Sequence, residues 1–504
     1  MNNFITEISN IEPEHDYPAG LIHPYWARKP LNVIECVINN FSKPGDVVLD
    51  PFMGSGTSLI AALKMGRNTI GSDLNPLSKL IVDGILNSRK SPTNYRSLLK
   101  KVSLEWTSFA LDLYKVNEDQ AVERENFKVN GTYVEGDFTL TPIEAKIKPI
   151  SKNDLKGKVI NASEYNFLNE LPNHFIDTPL DFNKINFLEN TRIAVHKGVN
   201  ANHFFTTRNK IFINYCLNYI KKENLTLEEE EFLRLFLSSL IPMLRLSDKK
   251  ASSQWPYWRP KDFLTSRNPY VGLKKRAKAF DEMILWVEKN LNTHSNFRTY
   301  CKSVTELELD VKVDLIVTDP PYADHAPYLE YAELFCSIAL ESTNNLLFPK
   351  EIVKTNAIGR NQESALYEKN LYDGFTKLLD QLKPDGYLVF FYVDKNIEHW
   401  KYIKKAILDK QCTVKDVIGI KKQRRSMKTV TSPGKTLDGD LIVIVQKNCN
   451  KPLEENSLEL EKVLDLIPKD FHYFDKFSIF IKYFLTKNIT LPNVQKLTDL
   501  SKVF

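Results

Sequence analysis

The stretch Asp50-Pro-Phe-Met-Gly-Ser-Gly-Thr57 decides how this chain is read. Before it, Gly45-Asp46-Val47-Val48-Leu49 predicts a short buried strand; after it, Leu59-Ile60-Ala61-Ala62-Leu63 predicts a helix. The glycines therefore sit on a strand-to-helix turn. Gly54 and Gly56 carry no side chain, so the backbone can turn sharply there and approach a ligand closely. The helix start offers free backbone N–H groups and the positive end of the helix dipole. In an open parallel sheet, ligands bind beyond the carboxyl ends of the strands, where strand order reverses. The stretch predicts a small-molecule site of the cofactor type.

The same residues narrow the ligand. A dinucleotide loop of the G-x-G-x-x-G type needs a third glycine where this chain has Leu59, and a P-loop needs Lys before the Thr57 that directly follows Gly56. A carboxylate at the strand end, Asp50, suits an amine-bearing ligand better than a phosphorylated one. S-adenosylmethionine has an amine, a carboxylate and a ribose. Asn68-Thr69-Ile70-Gly71-Ser72-Asp73 predicts a second strand ending on an acidic residue. An acid roughly 20 residues past the glycines is the usual partner of ribose hydroxyls. Asn75-Pro76 then opens a helix over 76–87 with proline in its first turn. This alternation of strand and helix predicts a parallel sheet covered on both faces.

Far downstream, Val313–Thr318 predicts another buried strand, and it runs into Asp319-Pro320-Pro321-Tyr322. With these residues in place the chain resembles the amino-group DNA methyltransferases, which modify the exocyclic amine of adenine or cytosine. Asp50–Thr57 resembles that family's cofactor motif, and Asp319-Pro320-Pro321-Tyr322 its catalytic motif. His23-Pro24 with Arg28-Lys29-Pro30 resembles the segment that closes over the methionine end of the cofactor. The resemblance spans 21–87 and then 296–446 in pieces. It implies an α/β fold: a Rossmann-like seven-stranded methyltransferase sheet with helices on both faces, plus a large mixed insertion domain. It implies S-adenosylmethionine as cofactor, held by Lys29, Pro30, Asp50, Pro51, Phe52, Gly54, Gly56, Thr57, Asp73, Asn75 and Ser303. It implies Asp319, Pro320, Pro321 and Tyr322 as the catalytic group, and Asp rather than Ser at the head of that motif leans toward adenine.

The chemistry fits these residue types. An exocyclic amine is a poor nucleophile because its lone pair is delocalised into the ring. The Asp319 carboxylate and the Pro320 carbonyl can accept its two N–H bonds, which helps the nitrogen pyramidalise. Two consecutive prolines fix the backbone and remove competing donors, and Tyr322 can stack on the base. The base must leave the duplex, because its amine is otherwise paired. Transfer is expected to be direct: no cysteine lies beside the motif to serve a thiol-nucleophile route. His325, Tyr328 and Tyr331 either line the base pocket or pack a helix that begins near Tyr328.

Between the cofactor and catalytic motifs the alternation stops, from Ser88 to about Ser295. Within this region 95–116 reads as a helix, 133–161 as a small β element, and 207–221 and 226–246 as two strong helices. An insertion at this place is where such enzymes carry target recognition. Residues 245–276 hold nine basic side chains against two acidic ones, interleaved with Trp255, Tyr257, Trp258 and Tyr270. Lys and Arg meet phosphates by counterion release, and flat aromatics can stack on bases, so Trp255, Tyr257, Trp258, Arg259 and Lys261 are assigned to DNA. Strands are expected at 296–301, 386–392, 413–420 and 440–445, with a turn at 383–385. The connection carrying Lys421, Lys422, Arg424 and Arg425 reads as a phosphate clamp.

The predicted organisation is an arm over 1–20, a catalytic domain over 21–88 and 296–449, an inserted recognition region over 89–295, and a helical extension over 450–504. The chain has 504 residues, 42% hydrophobic, with a net charge of +5, so nucleic-acid contact must come from local patches. The six cysteines are scattered without a C-x-x-C, which predicts reduced thiols and no metal site. The N-terminus lacks the blocks of a signal peptide, and the most apolar run, Phe232 to Leu246, is interrupted by arginines and too short to span a bilayer. A cytoplasmic enzyme with double-stranded DNA as partner, no membrane association and a possible restriction-system or phage-defence partner is expected. The competing readings are an N4-cytosine enzyme, a tRNA base methyltransferase of the same fold, and a non-catalytic DNA-binding subunit; Leu59 disfavours a nicotinamide dehydrogenase.

Overall fold

The structure is a computed structural model that describes residues 2–26, 28–131, 138–149, 158–161, 180–193, 195–247, 262–322, 327–355, 357–360, 364–421, 437, 439–448, 457–468 and 470–490. Twelve strands matter here: β1 (Val47–Asp50), β2 (Asn68–Ser72), β3 (Lys115–Asn117), β4 (Gln120–Gly131), β5 (Phe138–Pro149), β6 (Lys158–Asn161), β7 (Phe263–Arg267), β8 (Phe297–Tyr300), β9 (Val313–Thr318), β10 (Leu382–Phe391), β11 (Cys412–Lys421) and β12 (Gly439–Lys447).

Seven of them form one sheet in the order β11-β12-β10-β9-β1-β2-β8. Neighbours from β8 to β10 are parallel, and β12 runs antiparallel to both β10 and β11. The chain leaves β1 toward β2 and β8, then returns to the other side of β1 as β9 and β10. Strand order therefore reverses between β1 and β9, and a ligand crevice opens there.

Both faces of the sheet are covered, and the strands show it by alternation. Val48, Leu315, Val317, Val389 and Ile442 join one core with the helices Leu31–Phe41, Thr57–Lys64 and Pro76–Asn87. Their chain neighbours Leu49, Ile316, Leu388, Phe390 and Leu441 join a second core with the helices Ser364–Gln381, Ile397–Asp409 and Tyr473–Thr486. Successive side chains point to opposite faces, so continuous apolar runs are what a doubly covered sheet requires.

The 1–20 arm is not loose. Asn2–Asn10 is a helix whose Phe4 and Ile8, one turn apart, are buried, with Phe4 edge-on against Phe41. The insertion likewise shares its core with the sheet. Leu235 on the helix Leu227–Leu244 packs so closely on Gly84 that a Cβ there would lie 2.5 Å from its Cδ2. The small β element is larger than expected: β3, β4, β5 and β6 follow in order and β7 pairs with β4. The turn expected at 383–385 lies within β10, as an irregularity where Asp385 has φ +62° and the register with β9 shifts. Among the described residues no helix is long and apolar enough to cross a membrane.

Candidate active site

The carboxyl ends of β1 and β9 are neighbours. The Thr318 hydroxyl donates to Asp50 Oδ1 at 2.8 Å, and the Phe52 amide donates to the same oxygen at 3.1 Å. Burial pushes the Asp50 carboxyl up to about 7, against the opposing hydrogen bonds from Ser58, Thr318 and Phe52. The loop then turns through Gly54 at φ +50° and Gly56 at φ +81°, a region that side chains rarely adopt. A Cβ on Gly54 would lie 3.0 Å from the Tyr25 ring, and one on Gly56 would lie 2.8 Å from Val82 Cγ2. Gly54 thus faces the cleft, and Gly56 faces the helix Pro76–Asn87.

Asp73 ties this loop to β2. Its Oδ2 accepts from the Gly54 amide and its Oδ1 from the Asn75 amide, both at 2.9 Å. Burial pushes its carboxyl up to about 6. Asn75 caps the next helix, accepting from the Leu77 amide at 3.0 Å.

Asp319 lies just beyond β9. The Tyr322 hydroxyl donates to its Oδ1 at 2.9 Å, and the Lys29 ammonium sits 3.2 Å from its Oδ2. Lys29 also reaches Asp440 Oδ2 at 3.0 Å. Burial raises the Asp319 carboxyl and the Lys29 charge opposes it; the group stands above its ordinary range. Lys29, expected at the cofactor, lines the cleft with its ammonium on Asp319 and Asp440.

These elements enclose one cleft, with about 860 Å³ of space between its walls including the part open to solvent. Lys29, Asp50, Pro51, Phe52, Gly54, Thr57, Asp73, Asn75, Ser303, Asp319 and Pro321 all contribute to its wall. Pro30, Gly56, Pro320 and Tyr322 do not line it. Pro30 caps the helix Leu31–Phe41, and Tyr322 stands behind Asp319 with its ring edge-on to Tyr392.

Sequence reasoning missed several wall residues, Tyr25 among them; Tyr328, which it placed either in the base pocket or in a helix, is on the wall and also opens the helix Tyr328–Ala339. Tyr25 and Tyr328 face each other across 6.0 Å at an interplanar angle of 16°, and the Tyr25 hydroxyl is held by Ser78 at 2.9 Å. Lys350, Glu351 and Ile352 close another side. Glu351 is fixed by Arg360, which also pairs with Glu330, each at 2.7 Å. No motif announces these contacts, and most join residues far apart in the chain. His23 is a packing residue: buried, bonded to Ser238 Oγ at 2.9 Å, and pushed down to about 3 by burial, so it is uncharged.

The DNA-contact assignments fare differently. Trp255, Tyr257, Trp258, Arg259, Lys261, Lys422, Arg424 and Arg425 lie outside the described residues, as does His325. Lys421 pairs with Asp475 at 2.8 Å. Within the basic run, Arg245 is buried, Arg267 bonds the Ser247 hydroxyl at 2.6 Å, and Arg276 bonds the Ser239 hydroxyl at 3.2 Å. These three arginines are turned into the protein, so charge alone overstated the phosphate-facing surface; Lys274 and Lys275 are exposed.

A family model described as DNA methylase matches residues 5–81 and 313–497, more than half of the chain. The chain belongs to the DNA methylase family. The glycine turn, Asp73 and Asp319 fall inside the matched segments; the insertion and Ser303 of the cleft wall fall outside them. Among curated relatives, type II methyltransferase M.MjaII of Methanocaldococcus jannaschii is 32% identical over 119 residues, 24% of this chain and 22% of that one. M1.MboII of Moraxella bovis is 57% identical over 47 residues, 9% of this chain and 18% of that one. M.HindIII of Haemophilus influenzae is 47% identical over 49 residues, 10% and 16%. The chain thus spans about a fifth of the length of these relatives. Among solved structures, the N-methyltransferase NodS from Bradyrhizobium japonicum is 12% identical over 34% of this chain and 69% of that chain, at a TM-score of 0.18.

The methyl donor of this methylase is S-adenosylmethionine, and the cleft fits it. Gly54 leaves a cradle that a Cβ would fill. Asp50 and Asp73 can take an ammonium and ribose hydroxyls. Trp26 Nε1 and Arg28 Nη1, on wall residues, are buried donors with no hydrogen-bond partner among the described residues, as a carboxylate would require.

Proposed function

We propose that this protein is a site-specific DNA methyltransferase that methylates the exocyclic amine of a base flipped out of double-stranded DNA, with N6 of adenine as the target. One observation carries the reading: in a DNA methylase chain, the glycine turn after β1 and Asp319 after β9 line the same cleft.

When bound, S-adenosylmethionine supplies an electrophilic methyl group. Asp50 and Asp73 orient the donor, and Gly54 lets it approach the backbone. Asp319, on the cleft wall, accepts an N–H of the target amine, which frees the nitrogen lone pair. Tyr322 orients Asp319 through its hydroxyl. The insertion and the basic sequence segments 245–276 and 421–435 are the proposed source of contacts to DNA phosphates. The type II names of the relatives support a role in restriction–modification, with a nuclease as partner.

Sequencing DNA from cells expressing the protein, with detection of modified bases, tests this. N6-methyladenine in one sequence context is expected. N4-methylcytosine would move the target base, and methylation of tRNA with none in DNA would overturn the reading.

A further inference from the structure

The Lys29 ammonium has three protons and three acceptors: Asp319 Oδ2 at 3.2 Å, Asp440 Oδ2 at 3.0 Å and the Tyr322 hydroxyl at 3.1 Å. It rests over the rings of Phe391 and Tyr322, 5.3 and 5.6 Å from their centroids. Asp440 belongs to the start of β12, which is separated from β9 by β10. It belongs to neither the glycine turn nor the Asp-Pro-Pro-Tyr motif.

We propose that Asp440 is a positioning residue for methyl transfer: it gives Lys29 a second anion, so that Asp319 can hold the target amine and take its proton while the buried ammonium stays paired. The proposal rests on Asp319 being the acceptor for the amine.

The argument is one of charge. As the N–CH₃ bond forms from the amine lone pair, the donor sulfur keeps the electron pair of the broken C–S bond and loses its positive charge. The nitrogen gains that charge and then releases one proton to Asp319, which passes it to water. A lone Asp319–Lys29 pair is neutral and offers little to a nitrogen becoming positive. Protonating Asp319 would also strand the ammonium in a site that is largely shut from water, where an unpaired cation is costly. With Asp440 the trio carries one net negative charge before transfer, and Lys29 keeps a partner after it. The ammonium itself does not compete for the proton: burial pulls it down, but Asp319 and Asp440 hold it above its ordinary range.

The titratable and charged groups facing Asp319 are Lys29 from the N-terminal segment, Asp440 from β12, Tyr322 from its own turn and Tyr328 from the helix Tyr328–Ala339. Burial raises both tyrosines above their ordinary range, so they stay neutral at working pH. Burial raises the Asp319 carboxyl most; Lys29 lowers it and Asp440 raises it further, so the two charges act on it with opposite signs.

The test uses full-length wild type, Asp440→Asn, Asp440→Glu, Lys29→Met and Asp319→Asn. Methyl transfer to unmethylated plasmid DNA is followed from mildly acidic to mildly alkaline pH. In parallel, the carboxyl of Asp319 is titrated by ¹³C NMR, its signal assigned by loss in Asp319→Asn. Asp440→Asn is expected to move the Asp319 titration and the acid limb of turnover to lower pH, and Lys29→Met to move both to higher pH. Asp440→Asn is also expected to lower kcat on the order of tenfold to a hundredfold with KM for S-adenosylmethionine nearly unchanged, and Asp440→Glu to restore most of it. A merely structural Asp440 would give no opposed shifts; unmoved titration in both variants, or unchanged kcat in Asp440→Asn, overturns the proposal. If wild type methylates no nucleic acid, the functional reading fails, and the titration still decides whether Asp440 governs Asp319.

Discussion

The hydroxyl of Thr318 donates a 2.8 Å hydrogen bond to Asp50 Oδ1, joining two strand ends that are 268 residues apart in the chain. Both residues are buried, so the bond cannot be replaced by water. Thr318→Val keeps the shape and deletes the donor. A loss of about 1–3 kcal/mol in stability is expected, together with weaker S-adenosylmethionine binding. Denaturant unfolding and calorimetric titration check the two effects; unchanged values in both would remove this bond from the account.

Cofactor binding should depend on pH. Burial holds the Asp50 and Asp73 carboxyls up at about 7 and about 6. A ligand that brings an ammonium favours their ionised forms, so binding near neutral pH should release protons and tighten as pH rises through that window. Calorimetry in two buffers of different ionisation enthalpy measures the release. Without ligand the sign for stability is opposite: folding favours the protonated carboxyls, so this contribution is full below the ordinary carboxylate range near 4 and is lost as pH rises through about 6 and 7. Asp50→Asn, which keeps the Oδ1 acceptor, should be more stable than wild type at mildly alkaline pH and not at acidic pH.

The two glycines of the turn should fail differently. Both have positive φ, worth about 1–2 kcal/mol of strain on substitution. A methyl group on Gly56 meets Val82 inside the fold, so Gly56→Ala should lower the melting temperature. A methyl group on Gly54 projects toward Tyr25 at the cleft wall, so Gly54→Ala should weaken cofactor binding more than Gly56→Ala does. Equal binding by the two variants would contradict the geometry.

Arg360 pairs with two buried carboxylates, Glu330 and Glu351, at 2.7 Å each. Arg360→Ala strands both, which costs about 3–5 kcal/mol. The loss should shrink in acid, where Glu351, already raised by burial, can protonate. Because Glu351 lines the cleft, cofactor binding should fall as well. Stability that is unchanged, or that falls further in acid, would refute this role.

Much of the sheet could be read from the chain because its strands are short apolar runs bounded by turn residues. Val313–Thr318 and the helices Leu31–Phe41 and Pro76–Asn87 fall where their patterns put them. The helix Ser364–Gln381 is legible too: Tyr367, Leu371, Phe375 and Leu378 recur at helical spacing and are buried. Other features had no local signal. β4 and β7 pair across more than a hundred intervening residues, and the Lys29–Asp440 contact bridges nearly the whole chain. Phe4 and Ile8 looked like isolated apolar residues in a polar arm until the surface they pack on was known. Counting charges misjudged Arg245, Arg267 and Arg276, because a guanidinium can satisfy itself on backbone and hydroxyl groups inside the protein.

The central claim is that a donor held by the glycine turn and an amine held by Asp319 meet in one cleft. The most direct measurement is transfer of labelled methyl from S-adenosylmethionine to unmethylated double-stranded DNA by wild type and Asp319→Ala, with cofactor affinity measured for both. The account predicts labelled adenine amines from the wild type, none from the variant, and cofactor affinities within a few-fold of each other. Methyl transfer by Asp319→Ala at the wild-type rate would contradict it.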